Sequence, residues 1–93
     1  MQNININKIR KKLDKVDVKL LRLIKLRTLM VDQILEFKKS KKEVIDKKRI
    51  NFILKRIKKN SIKIKIDPKI TVHIWKEMIK AFINYENSKF KKK

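Results

Sequence analysis

Only five arginines stand in a chain that takes most of its positive charge from 24 lysines, and their positions are the first chemical signal. Ile9, Leu13, Val16, Leu20, Leu23, Met30 and Ile34 recur at alternating spacings of four and three, and the position between Leu23 and Met30 that continues this seam is Arg27. A guanidinium buried there without a partner would be costly. It either reaches the surface, pairs with a carboxylate such as Asp17 across an interface, or binds an anion inside a helical assembly. Arg10 lies 17 residues earlier, about 25 Å along a helix axis, so no small ligand touches both on one helix. If the two serve one site, a second, antiparallel copy of the helix must deliver Arg10; otherwise it is a surface arginine. Lys38 is 11 residues beyond Arg27, which returns it to within about 20° of the same helical face, about 16 Å along the axis. Taken alone it is one lysine among many. Arg49 falls in the first turn of a helix expected to start at Asp46, where free N–H groups and the helix dipole favour an anion. Glu86 lies on the same helical face as Ile79, Phe82 and Ile83. An acid on an apolar stripe is either solvated near the helix end or aimed into a site.

Three helices must position these groups. The heptad pattern predicts a first helix over residues 6–39, uninterrupted by Gly or Pro. Such a helix is about 50 Å long, whereas a compact globule of this chain length has a radius of gyration of only about 12 Å. A helix that overshoots its own domain packs along another chain. Lys38 to Glu43 (KKSKKE) reads as a loop. A second helix is expected over 46–60, with Asp46 as N-cap, a staple between Ile45 and Ile50, and an apolar face of Ile50, Ile53, Leu54 and Ile57. Ser61 to Ile66 (SIKIKI) alternates like a strand, but a lone strand has no partner, so the segment is expected to be an extended connector. A third helix is expected over 67–90, opened by Asp67 and Pro68. Its stripe is Ile70 or Thr71, Ile74, Trp75, Met78, Ile79, Phe82 and Ile83, and Lys91–Lys93 should fray. The fold class is all-α: one domain, 1–93, of a long, a short and a medium helix with no internal repeat.

Composition removes several classes of function. With no cysteine and one histidine, thiolate chemistry and histidine-rich metal centres are excluded. With no glycine, phosphate-cradling loops are excluded. No apolar run approaches a membrane span, and no secretory signal is visible at the N-terminus, so the cytoplasm is the expected location. The net charge of +20 suits an anionic partner. However, Lys, Ile and Asn make up 47 of 93 residues, a bias that an AT-rich genome imposes on tolerant surface positions, so much of the charge reads as a solvated surface. A basic nucleic-acid-binding protein would explain the charge but not Arg27 inside the seam, and no aromatic–basic motif of the RNA-recognition type is present. His73 reads as a surface residue, Trp75 and Phe82 as core.

Together these positions resemble the all-helical chorismate mutase family, over about Ile9 to Phe90. IRKKLDKVDVKLLRLIKLR at 9–27 is similar to that family's first-helix signature, EFK at 36–38 to the end of that helix, VIDKKR at 44–49 to the start of the second and DPKITVHIWKEMI at 67–79 to the third. The resemblance implies an intertwined homodimer with two equivalent sites, no cofactor and no metal, acting on chorismate as a small-molecule substrate. It implies that Arg27 and Arg49, with Arg10 from the other subunit, bind the substrate carboxylates. Lys38 would donate to the ether oxygen, and Asp46 would line the site. Two positions depart from the pattern. Ile50 stands where a glutamate usually contacts the substrate hydroxyl, and Glu86 stands where a glutamine usually accompanies the lysine, so Glu86 can donate only if it carries a proton. The stretch from Lys38 to Arg49 is also about one residue short. Ile50 and the short loop are similar to the related isochorismate pyruvate-lyases. That leaves the lyase as the alternative to the mutase, with a non-catalytic regulatory module as another.

Overall fold

The computed structural model describes the backbone of residues 2–92 and the side chains of 5–90. Three α-helices follow one another: α1 (Gln2–Leu35), α2 (Lys47–Lys63) and α3 (Pro68–Lys92), with a 3-10 turn at Lys41–Val44 between α1 and α2. No strand occurs among the described residues, so the chain is all-α as expected. It divides into two units, Met1–Val31 and Asp32–Lys93.

The first unit is a stretch of α1 alone. The seam that the heptad pattern marks is open along its length: Leu23 is 62% exposed and Ile9 57%, and Leu13, Val16, Leu20 and Met30 are exposed too. So are Val18, Leu21, Ile24, Leu26 and Leu29. A helix that is apolar around much of its circumference normally lies inside an assembly of helices.

The second unit has its own core, built from Leu35, Val44, Ile53 and Ile79. Its local structure corrects the sequence reading in three places. α1 stops at Leu35 instead of running to 39. Leu35 is buried, and the chain turns directly after it, with the Phe37 N–H donating to the Ile34 carbonyl at 3.0 Å and the Lys38 N–H to that of Leu35 at 3.2 Å. These tight bonds satisfy terminal carbonyls and release Lys38 from the helix. The helical-wheel relation of Lys38 to Arg27 therefore does not apply to it. The expected loop that follows contains the 3-10 turn. Glu43 closes it by accepting from the backbone N–H groups of Ser40, at 3.0 Å, and Lys39. The buried Val44 ends the turn against α3.

The third correction concerns Ser61–Ile66. α2 continues through Lys63 instead of ending near 60. With no neighbouring strand to take its backbone groups, the segment satisfies them within the helix. Ser61 is buried and hydrogen-bonded to the Ile57 carbonyl and the Thr71 hydroxyl, each at 2.6 Å. The alternating Ile62 and Ile64 are exposed. The Ile66 N–H donates to the Ser61 carbonyl and the Lys65 N–H to that of Ile62, the paired bonds of a Schellman ending. That ending places Lys65 at φ 65°, a left-handed position glycine usually fills.

Both later helices start as the sequence implies. Asp46 caps α2 by accepting from the Arg49 N–H at 3.0 Å, and Asp67 caps α3 by accepting from that of Lys69 at 2.9 Å, with Pro68 the first helical residue. α3 continues two residues past the expected 90, so Lys91 and Lys92, expected to fray, are helical in backbone, while Lys93 lies outside the described residues.

Candidate active site

Lys38 and Glu86 meet. The Lys38 Nζ donates to Glu86 Oε1 at 3.0 Å, and the two side chains are 19% and 9% exposed. Glu86 is buried and not solvated near the helix end. It continues the α3 face that buries Ile79 and half-buries Phe82 and Ile83. A carboxylate placed there against the α1–α2 connection needs a cation, and the early end of α1 supplies one in Lys38.

A second bond runs beside the first. The Tyr85 hydroxyl donates to Asp32 Oδ1 at 2.6 Å, and both residues are half-buried. That hydrogen bond, then burial and the Asp32 charge, push the phenol above its ordinary value. The Tyr85 ring stands edge-on to Phe82 at a centroid distance of 6.5 Å.

Lys38 also lines an open groove with Glu43, Ile45, Asp46, Lys47 and Lys48. The N–H groups of Ser40 and Lys39 hold the Glu43 carboxyl below its ordinary value; desolvation opposes this, and the Lys39 and Lys38 charges reinforce it. Asp46 is first a helix cap, with one face on the groove. Arg49, in the first turn of α2, is exposed and stacks over the Phe52 ring at 5.3 Å, with Arg56 over the same ring at 5.6 Å. Ile50, next to Arg49, is half-buried. In the first unit, Arg10 is exposed on α1 and Arg27 is partly buried on the same helix.

The structure thus brings together Lys38 and Glu86, and sets Lys38 and Asp46 along one groove. Arg10 and Arg27 belong to the other unit. Four participants were not foreseen. Phe52 carried a signal, with arginines three residues before and four after it. Glu43 carried one too, because it stands three residues after Ser40, the capping-box spacing. Asp32 and Tyr85 carried none, being 53 residues apart.

Chemically, an ammonium held by one carboxylate keeps two N–H bonds to offer an oxygen in the groove. It can stabilise negative charge that develops there. Among the described residues no group of three or more His, Asp or Glu side chains is placed to hold a metal ion, and no helix is long and apolar enough to cross a membrane. Compared with known families, residues 9–87 match chorismate mutase type II. Neither the curated proteins nor the solved structures yield a match.

Proposed function

The chain belongs to the chorismate mutase type II family, and from that premise we propose that it rearranges chorismate to prephenate, serving phenylalanine and tyrosine synthesis in the cytoplasm. The observation that carries this reading is the part-buried Lys38–Glu86 pair beside an open cationic groove.

The reaction is intramolecular: a C–O bond breaks as a C–C bond forms, with no nucleophile, metal or cofactor. Catalysis then consists of holding the two substrate carboxylates so that the side chain lies over the ring, and of stabilising negative charge on the ether oxygen. Arg27 and Arg49 bind the carboxylates through their planar forks. Lys38 donates to the ether oxygen. Glu86 donates to it as well when it carries a proton; ionised, it would repel the growing charge. Asp46 and Ile50 line the site near the substrate hydroxyl.

The working form is a homodimer of one-domain chains, 1–93, in which the partner supplies Arg10. Two facts support it. The exposed apolar residues of α1 need a cover that a second α1 provides. The family match also runs through both units, from 9 to 87.

Ile50 and the short connection favour a second reading, an isochorismate pyruvate-lyase that forms salicylate and pyruvate on the same cationic site. A turnover assay of the purified chain with chorismate and, separately, isochorismate, with products separated by chromatography, decides between them. Prephenate from chorismate supports the mutase. Salicylate and pyruvate from isochorismate, with little prephenate, replace it by the lyase. No turnover of either rejects both.

A further inference from the structure

We infer that Asp32 and Tyr85 are positioning residues: their hydrogen bond anchors the last turn of α1 to α3 and thereby holds Lys38, which lies just beyond that helix, in register with Glu86. The inference rests on the proposed role of Lys38.

Two bonds link the same two stretches of chain. Tyr85 and Glu86 are consecutive on α3, and Asp32 and Lys38 lie on either side of Leu35, where α1 ends. The Tyr85–Asp32 bond is 2.6 Å and the Lys38–Glu86 bond 3.0 Å. They are two rungs of one ladder, and their functions are unequal.

Lys38 has lost helical support. Its own N–H reaches only back to Leu35, and the next residues belong to the turn closed by Glu43. Its lateral position therefore depends on what holds the end of α1. One anchor is the buried Leu35 side chain, which resists withdrawal but carries no direction. The other is Asp32, still inside the helix, whose hydrogen bond to Tyr85 is directional and fixes both rotation and height against α3.

Tyr85 is itself braced. Its ring meets Phe82 edge-on, and the Lys89 ammonium lies over it at 5.6 Å. A fixed hydroxyl is what a register pin requires. The raised phenol value is the titration signature of that bond. An ether-oxygen donor displaced by about 1 Å costs about 10²-fold in rate, so a pin that limits smaller displacements should be worth about tenfold.

The test is Tyr85→Phe, which keeps the ring and removes only the hydroxyl. We expect kcat for chorismate to fall about tenfold with KM within about twofold. Asp32→Leu should match it. Asp32→Asn, which keeps the acceptor oxygen, should stay within about twofold of the parent chain. In a Lys38→Ala background Tyr85→Phe should have no further effect on kcat, because the pin acts through Lys38. A general loss of structure would lower both backgrounds alike. A parallel measurement needs no turnover. In the parent chain the Lys38 ammonium, paired with Glu86, should give a protected ¹H–¹⁵N signal, and this signal should broaden in Tyr85→Phe and persist in Asp32→Asn. An unchanged kcat in Tyr85→Phe, an equal loss in the Lys38→Ala background, or an unchanged Lys38 signal would overturn the inference. Absence of turnover in the parent chain would instead reject the mutase reading, and the Lys38 signal would then decide the pin by itself.

Discussion

The two units of this chain use the same residue types in opposite ways. In Asp32–Lys93 part of the apolar set finds partners within the unit: Leu35, Val44, Ile53 and Ile79 are buried, although Phe37, Ile62 and Ile64 among others stay exposed, and the buried polar groups are paired, Ser61 with Thr71 and Glu86 with Lys38. In Met1–Val31 a richer set of apolar side chains stays exposed. Hydrophobic content therefore does not tell which part of a chain makes its own core. What differs is chain reversal. The second unit has caps, a 3-10 turn and a Schellman ending that fold helices back on one another, whereas the first is helix without a turn and must obtain its cover elsewhere.

The largest expected effect tests the proposed role of Arg27. Arg27→Ala should lower turnover by about 10³-fold or more, while analytical ultracentrifugation still shows a dimer; near-normal activity would remove Arg27 from the site. Next comes the cover. Leu20→Asp puts a charge in the exposed seam and should yield monomers without turnover, and a fully active monomer would overturn the delivery of Arg10 from a partner. Because two chains of +20 repel, dimer dissociation in the parent protein should weaken as salt rises. A smaller effect concerns the Glu86 charge. Glu86→Gln keeps a partner for Lys38 and adds a donor without the charge, so turnover should rise several-fold; unchanged turnover would show that the Glu86 charge does not bear on the reaction.

The smallest effects sharpen the picture of the second unit. Lys65→Gly relieves a left-handed residue and should raise stability by about 0.5–1 kcal/mol in chemical denaturation. An unaltered midpoint would mean that Lys65 pays no conformational penalty there. Glu43 has a lowered folded value, so its contribution is present above the ordinary 4.5 and is lost as pH falls through the folded value. Melting temperatures of the parent chain and Glu43→Gln should therefore converge in acid.

Much of the fold was legible because its signals are local. The heptad seam, the Asp46 cap and the Asp67–Pro68 start each depend on residues within a turn or two, and each lies where the pattern puts it. The misreadings came where local signals compete. SIKIKI has the period of a strand, yet without a partner strand its backbone had to close on itself, and helix prevailed through Lys63. Nothing in EFK marks the end of α1, so the pattern alone carries the helix to 39; burial of Leu35 and the turn after it end it.

Three helices, their caps, the odd arginine in an apolar seam and the acid on an apolar stripe follow from residue order alone, because periodicity and capping are properties of neighbouring residues. That Glu86 turns inward onto Lys38 and that Tyr85 reaches Asp32 depends on packing. Those bonds join residues 48 and 53 positions apart, and such a distance along the chain becomes a contact only after α3 has packed against the end of α1.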